Sequence, residues 1–335
     1  MLRNCFYRFA CSASVVACFT ILTGCRIGAP VHVWSAPTLQ STVDQTVMVP
    51  RIVGPKELAE PIHEQLLQAA PSGQGCETKL VAADALNQGT EAISDGGVSL
   101  VSYDQDDESD LALATTARQK NIDYILRGEI MPDRRPRAIA EAGNRLTVSW
   151  RLMPVHPEQQ ADTAGARMGK PVVVELDSVL KRYPDLALAT DKEAMMQTAL
   201  IRDTLPLITP TVQRDRVQLE IAYLLPGSRG IRRGNRLAVA GLWADAESAW
   251  QDVYRKYPFS SVAVHNLAIA SVAKQEFSEA RTLARKAVRM KPTKLHQQTM
   301  VWVERTQREF HDAFDLPDPP EGWFVTRRPE SRVGK

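Results

Sequence analysis

The sequence predicts a mixed fold, in which an α/β domain with sandwich-like layers is followed by an all-α helical array. Apolar segments of strand length alternate with amphipathic segments of helix length between residues 45 and 210, as is typical of a mixed α/β domain. An internal period follows, because Pro258 and Pro292 are 34 residues apart. The length of 335 residues is sufficient for about two domains.

The composition is that of a globular protein, with 44% hydrophobic and 24% charged residues. Lysine and arginine together number 41 and the acids 39, and the first 24 residues contain two arginines and no acid. The rest of the chain is therefore close to neutral. This balance argues against nucleic acid as a partner.

The N-terminus has the pattern of a signal peptide. Arg3 and Arg8 precede a mostly apolar stretch over residues 9–23. That stretch suits the hydrophobic part of a signal peptide and is short for a membrane span. We therefore expect residues 1–24 to be removed from the mature protein.

The apolar stretch ends in Leu22, Thr23, Gly24 and Cys25. These residues resemble the lipobox of bacterial lipoproteins, in which small residues precede the scissile bond and the cysteine thiol takes a diacylglyceryl group. The resemblance implies cleavage before Cys25 and lipidation of its thiol. Arg26 follows, where aspartate would favour the inner membrane, and this indicates the periplasmic face of the outer membrane. The alternative is an ordinary signal peptide, or a single-pass anchor, with a chance cysteine.

Cys76 is the one cysteine after Cys25. A single thiol forms neither an internal disulfide nor a zinc or redox pair. Cys76 lies in a segment rich in Gly, Ser and Gln, so a tolerated free thiol is favoured over a catalytic nucleophile. Residues 25–44 are polar and contain proline, which predicts a tether between the lipid and the first domain.

The α/β domain is predicted over residues 45–210 from its hydrophobic periodicity. The predicted strands cover residues 46–50, 78–82, 98–103, 123–130, 145–155 and 171–176. The predicted helices cover residues 57–69, 111–120 and 191–205. Ala117 and the segment 121–130, NIDYILRGEI, resemble a helix–strand unit in the amino-terminal domain of the Tol-system propeller protein and in curli-secretion-channel-like lipoproteins. That resemblance implies an assembly module rather than an active site.

The helical domain is predicted over residues 211–314, because residues of similar character recur 34 positions apart. The recurring pairs are Gly234 and Ala268, Trp243 and Phe277, Ala246 and Ala280, and Pro258 and Pro292. The period and these residues resemble tetratricopeptide repeats, TPR, with copies at about 227–260 and 261–294 and a capping helix over 295–314. Gly230 and Arg233 depart from the pattern, which puts the first helix of the first copy in doubt. A generic amphipathic helical array is the alternative, and residues 315–335 form a Pro-rich basic tail.

The repeat resemblance also implies a binding face. Such arrays hold extended peptides or helices on a concave surface, which the first helix of the second copy would line with His265, Asn266, Ile269 and Lys274. Asn266 is the expected contact to a partner backbone. Alternatively, Asn266 fixes a neighbouring helix turn within the domain.

Enzyme motifs are absent from the sequence, which contains no HExxH, GxSxG, Walker loop or GxGxxG. The histidines are too scattered for a local metal pair. The acids at 104–110 lack the glycine and glutamate of a calcium loop, so the start of a helix is favoured there. We therefore predict no catalytic residue, metal or cofactor.

These features together predict a non-enzymatic, lipid-anchored interaction or scaffold protein of the cell envelope. Its expected partners are the membrane, bound through the lipid, and a protein or peptide, bound through the repeats. The alternative is a structural subunit of an envelope assembly or secretion complex, which would associate through the α/β domain and could include self-association.

Overall fold

The computed structural model describes residues 27–69, 77–87, 109–132, 144–156, 166–188 and 191–324. It divides into two compact units. The α/β unit comprises residues 35–211 and 311–317, and the helical unit comprises the residues up to 34, 212–310 and those from 318 onward. The predicted fold class is confirmed, since a sheet region is followed by a run of helices. Among the described helices, none has the length and apolar character needed to cross a membrane.

The strands are β1 Ile27–Ser35, β2 Thr46–Val49, β3 Lys79–Ala82, β4 Tyr124–Ile130, β5 Arg145–Pro154, β6 Arg167–Met168, β7 Val172–Glu175 and β8 Thr211–Leu219. The helices are α1 Lys56–Gln68, α2 Ala83–Asn87, α3 Asp110–Gln119, α4 Leu176–Arg182, α5 Lys192–Thr204, α6 Ser228–Val239, α7 Trp243–Lys256, α8 Ser261–Ala273, α9 Phe277–Met290 and α10 Lys294–Ala313.

The α/β unit is built on a mixed sheet with the order β3-β2-β4-β5-β6, in which β7 also pairs with β5. β2 is parallel to β3 and β4, and the pairs formed by β5 are antiparallel. Val47 and Val49 of β2 pack in one core with α1 and α5, whereas Met48 packs in another core with α3. Because alternate side chains of a strand point to opposite faces, helices cover both faces of this sheet.

Helix α3 begins at the last of the acids in the run 104–110. It starts at Asp110, and the hydroxyl of Ser109 accepts a hydrogen bond from the Ala112 amide, as an N-terminal cap does. The Asp110 carboxylate accepts hydrogen bonds of 2.5 Å from both Arg127 and Arg151. Asp110 therefore joins the helix to two strands. Cys76, the predicted strand at 98–103 and the acids at 104–108 lie outside the described residues.

The prediction of a tether over 25–44 is wrong for its central part. Residues 27–35 form β1, which pairs with β8 in a two-stranded sheet. Ala29, Val31 and Val33 of β1 are buried and belong to the core of the helical unit. Alternate burial of small and β-branched side chains is typical of a strand with one face on a core, so this segment is an integral part of the helical unit.

The helical unit contains two helical hairpins, α6–α7 and α8–α9, followed by α10. Gly230, one of the two departures that put α6 in doubt, has a steric explanation that it shares with Gly234. A Cβ at Gly234 would lie 2.3 Å from Nε1 of Trp250, and one at Gly230 would lie 2.3 Å from a methyl group of Val253. The glycines of α6 thus allow α7 to approach closely, and α6 is a regular helix of 12 residues.

The described end of the tail packs on the helical unit. The guanidinium groups of Arg281 and Arg308 lie 5.7 and 4.8 Å from the ring centroid of Trp323, and that of Arg285 lies 3.7 Å from the ring of Phe324. These distances are in the range of cation–π contacts. The two aromatic residues therefore cover arginine side chains of α9 and α10.

Candidate functional site: a buried polar cluster around Glu220

A buried polar cluster lies at the end of β8 in the helical unit. Glu220 follows β8 directly, Asn235 lies in α6, His265 and Asn266 lie in α8, and His296 lies in the first turn of α10. Helix α8 is buried on every side, so its polar residues face the interior as its apolar residues do. Buried polar groups need partners, and those of α8 find them in this cluster.

Asn266 binds both backbone groups of Glu220. Its Oδ1 accepts a hydrogen bond of 3.0 Å from the Glu220 amide, and its Nδ2 donates one of 3.1 Å to the Glu220 carbonyl. Asn235 donates a second hydrogen bond, of 3.0 Å, to the same carbonyl. The two asparagine side chains are themselves joined by a hydrogen bond of 2.9 Å. The position of the chain at the end of β8 is thereby fixed.

The carboxylate of Glu220 forms an ion pair with His296. His296 Nε2 lies 2.7 Å from Glu220 Oε2, and Lys291 Nζ lies 3.4 Å from Oε1. The other ring nitrogen of His296 donates to backbone carbonyls, at 2.7 Å for Lys291 and 3.1 Å for Ala287. A carbonyl and a carboxylate only accept, so this arrangement favours the cationic form of His296, in which both ring nitrogens carry hydrogens.

The pKa values of this ion pair move in opposite directions. Burial by itself lowers the pKa of His296, but its hydrogen bond and charge interaction with Glu220 raise that pKa above its usual value of 6.5. Burial by itself raises the pKa of Glu220, but the hydrogen bond and positive charge of His296 bring that pKa below its usual value of 4.5. Each partner therefore stabilises the charged form of the other.

His265 is neutral although it stacks on His296, with the ring centroids 4.8 Å apart and the planes inclined by 23°. Burial, together with the charge of His296, lowers the pKa of His265 to about 4, against the opposing effects of Asn266 and Glu220. His265 Nδ1 lies 3.0 Å from the side-chain oxygen Oδ1 of Asn266, and Nε2 lies 2.9 Å from the Thr299 hydroxyl. The amide oxygen only accepts, so Nδ1 donates and Nε2 accepts from Thr299.

Glu220, His265 and His296 also lie close enough to be considered as metal ligands, since one ligand atom from each lies within 4.8 Å of the others. The geometry does not fit an ion. Imidazole binds a metal through a lone pair in the plane of its ring, and two nearly parallel stacked rings direct their lone pairs side by side rather than to one point. The cationic ring of His296 also has no free lone pair. The cluster is therefore built as a hydrogen-bonded ion pair.

The structure corrects the predicted partner-binding face. His265, Asn266 and Ile269 are buried, with exposed fractions of 1%, 0% and 1%, so they do not form an open surface. The expected contact of Asn266 with a partner backbone is replaced by contacts with the backbone of Glu220 in the same chain. Lys274 lies in the turn after α8, where it pairs with Glu247 and Glu276 at 3.0 and 2.8 Å, and it takes no part in the cluster.

Glu220, His296 and Thr299 were missed at the sequence level because they are far from His265 along the chain. A search for neighbouring histidines excluded a pair, although His265 and His296 occupy similar positions early in their helices. The packing of α10 beside α8 brings the two rings together. A search for histidines early in successive helices of the array would have found them.

The α/β unit has a cleft of about 410 Å³ beside the first turns of α1. Its lining carries both signs of charge, with Arg51, Lys56, Glu60, Glu64 and Asp84 among the residues. Arg51 and Asp84 form an ion pair of 3.0 Å. The cleft therefore has mixed charge and selects neither an anion nor a cation.

A pH-dependent contribution to stability is expected from the ion pair. His296→Gln should lower the free energy of unfolding by about 1–3 kcal/mol between pH 4.5 and 6.5, the usual pKa values of the two groups. The difference from wild type should shrink as pH rises through the raised pKa of His296, and as pH falls through the lowered pKa of Glu220. Urea denaturation at several pH values measures it.

His32→Gln provides the control for that experiment, because His32 is exposed on β1. It should leave the stability nearly unchanged throughout the pH range. A difference between wild type and His296→Gln that is equal at pH 5.5 and at pH 9 would contradict the ion pair.

The fold and the cluster define a protein of two units, α/β and helical, with a polar centre in the helical unit. Neither a family model nor a curated protein matches the chain. Among solved structures, two dodecamers of PelC from Paraburkholderia phytofirmans have 13% and 15% sequence identity and TM-scores of 0.29 and 0.24. They cover 53% and 54% of this chain and 97% and 96% of their own. The hypothetical protein CT253 from Chlamydia trachomatis has 13% identity and a TM-score of 0.25, with coverage of 48% of this chain and 93% of its own. Likeness at these scores carries no conclusion about function.

Proposed function

We propose that the protein is a lipid-anchored, non-enzymatic protein of the bacterial cell envelope, which presents an interaction module at a membrane surface. The proposal rests first on the residues that resemble a lipobox, Leu22 to Cys25. The observation that carries it furthest is the position of β1, which begins at Ile27, two residues after Cys25. A lipid on Cys25 would therefore hold the helical unit directly at the membrane, without a long tether.

The helical unit is the proposed interaction module, and its resemblance to TPR repeats supports that role. Its inner face is occupied by the chain itself, because β1 and β8 share the core of the hairpins and Asn266 holds the Glu220 backbone. A protein partner would therefore bind to the exposed outer surface of the hairpins. We place the protein at the periplasmic face of the outer membrane.

Loss of the lipid is the direct test of this proposal. Cys25→Ser removes the thiol that would take the diacylglyceryl group, so we expect metabolic labelling with a radioactive or alkyne fatty acid to disappear. We also expect the protein to leave the membrane fraction or to accumulate as the uncleaved precursor. Labelling that persists in Cys25→Ser would refute the lipid anchor, and Cys76→Ser, which should keep full labelling, is the matched control.

The interaction role is tested by photo-crosslinking in cells. Crosslinkers at exposed positions of the hairpins, such as Arg236 and Lys274, should capture a distinct protein. Crosslinkers at exposed positions between residues 45 and 210 should not capture it. Capture of further copies of this chain through that region would instead indicate a subunit of an envelope assembly, and turnover of a substrate by the purified protein would contradict both roles.

A further inference from the structure

Four large apolar side chains are exposed in two loops of the helical unit. The loop after β8 exposes Tyr223 by 55%, Leu224 completely and Leu225 by 54%, and the loop between α7 and α8 exposes Phe259 by 94%. Single exposed apolar residues are common on soluble proteins. Here four are concentrated in two short loops, which we call the apolar tip.

The two loops of the apolar tip meet at one end of the hairpins. A Cβ built on Gly227, the last residue before α6, would lie 3.0 Å from the ring of Tyr257, the first residue after α7. The ends of α7 and α9 also meet, through a hydrogen bond between Lys286 and the Tyr254 hydroxyl. Both loops therefore project from the end at which α6 and α8 begin.

The backbone holds Leu224 outward at an energetic cost. Its φ is +55°, in the left-handed region that residues with a Cβ rarely adopt. Four residues earlier, the asparagine side chains fix the Glu220 backbone. A completely exposed leucine side chain gains no burial in the folded chain, and transfer into an apolar environment outside the protein would stabilise it.

The surroundings of the apolar tip are basic. A groove that is also lined by Gly227 and Tyr257 carries three basic residues, Arg229, Arg233 and Lys256. The acid in this lining is Asp252, which pairs with Arg255 at 3.3 Å. The charge therefore suits a surface that is apolar inside and anionic at its boundary, which describes a bilayer containing acidic phospholipids.

β1 brings the start of the described chain onto the helical unit. Pro30 accepts a hydrogen bond from Trp243 at the start of α7. Gly28 lies against the side chain of Arg216, three residues before the end of β8. Because β1 begins at Ile27, a lipid on Cys25 would lie close to the helical unit.

We propose that the apolar tip of Tyr223, Leu224, Leu225 and Phe259 inserts into the outer part of an anionic lipid bilayer, while Arg229, Arg233 and Lys256 bind the phosphate groups. The proposal deepens the proposed function and rests on it for the lipid anchor at Cys25. The lipid and the tip would together hold the helical unit at the membrane, and two contacts fix an orientation that one lipid alone leaves free.

Tryptophan quenching by brominated lipids tests the insertion. The full chain carrying Leu224→Trp is purified from membranes and reconstituted into vesicles of phosphatidylglycerol and phosphatidylethanolamine with brominated acyl chains. We expect the brominated lipids to quench the tryptophan fluorescence of Leu224→Trp more than that of wild type. The wild-type protein measures the quenching of the native tryptophans. Leu242→Trp is the matched control, because Leu242 is half-exposed in the turn at the opposite end of the hairpin, and it should add no quenching.

The basic residues are tested in the same assay. Arg229→Glu combined with Arg233→Glu should reduce the additional quenching of Leu224→Trp at least twofold, as should replacement of phosphatidylglycerol by phosphatidylcholine. Both arginines are exposed, so an unchanged thermal unfolding transition will show that the variant is folded.

The outcomes separate this proposal from the proposed function. Protein that is held in the vesicles but shows no additional quenching at position 224 would overturn the insertion, and so would a photo-crosslinker at 224 that captures a protein rather than lipid. Mass spectrometry of the same preparation shows whether Cys25 carries a lipid. A chain without that lipid would overturn the anchor, while quenching at 224 would still support insertion of the tip.

Discussion

Asn266→Ala is expected to lower the free energy of unfolding by about 3–5 kcal/mol. The substitution removes the acceptor of the Glu220 amide and of His265 Nδ1. It also removes a donor to Asn235 Oδ1. Buried polar groups that lose a partner retain their desolvation cost, and each such loss costs about 1–3 kcal/mol. Asn266 itself is completely buried, so water does not replace the lost amide without a rearrangement. Urea denaturation followed by tryptophan fluorescence measures the effect.

The control for this substitution is Gln298→Ala, on the exposed side of α10, which should change stability by less than about 0.5 kcal/mol. Asn235→Ala tests the network. The two asparagines bind each other, and either substitution alone removes that bond, so the double variant should lose less than the sum of the single losses. A loss below about 1 kcal/mol for Asn266→Ala would show that the side chain does not fix the end of β8.

Gly234→Ala is expected to be the most damaging single methyl addition in α6, with a loss of about 2–4 kcal/mol. The new Cβ would lie 2.3, 2.6 and 2.7 Å from three atoms of the Trp250 ring. Trp250 is completely buried, and its Nε1 donates to Asn235 at 3.2 Å. The ring cannot move away without losing that bond. Alanine adds up to about 1 kcal/mol of helix propensity, which is too little to offset the clash.

Gly230→Ala is the matched control, because it lies one turn earlier in the same helix and gains the same propensity. Its Cβ would meet a methyl carbon of Val253 at 2.3 Å, and a valine can rotate about one bond where a buried tryptophan ring cannot. We expect a change within about 1 kcal/mol. Equal losses for the two variants, measured by thermal or urea unfolding, would contradict the steric account.

The same contact explains why the two hairpins differ in sequence. Gly234 faces Trp250 in the first, and the residues 34 positions later are Ala268 and Ala284, both buried. A residue without a Cβ and a large ring in the first hairpin thus correspond to two alanines in the second. The large ring of Trp250 explains why the first hairpin needs glycine where the second has alanine.

The elements with strong local patterns were predictable from the sequence. Three helices of the two hairpins follow from the 34-residue period, which left α6 in doubt, and β5 follows from the regular alternation of Leu146, Val148, Trp150 and Leu152. β1 was missed because Gly28 and Pro30 interrupt its apolar alternation, and such residues usually indicate a turn or an edge. β8 was missed because Arg214, Asp215 and Arg216 conceal its single buried face.

The polar cluster could be predicted only in part. The repeat resemblance singled out His265 and Asn266 as partner-binding residues, whereas both are buried in a network within the chain. Their partner was not predictable, since Glu220 lies 46 residues before Asn266 and 76 before His296. No local rule specifies which loop enters the space beside a helix. Sequence similarity to peptide-binding repeats suggested a foreign peptide, whereas the chain fills that position itself.

The pairing of β1 with β8 imposes an order in time on the folding of the protein. β1 is among the first segments to be synthesised, but β8 is made only after the whole of residues 36–210. Until then β1 has no β8 strand to pair with. In the proposed lipoprotein, this interval would leave the neighbouring Cys25 accessible to the enzymes that modify and cleave beside it. Pairing with β8 would then protect the finished junction from further proteolysis.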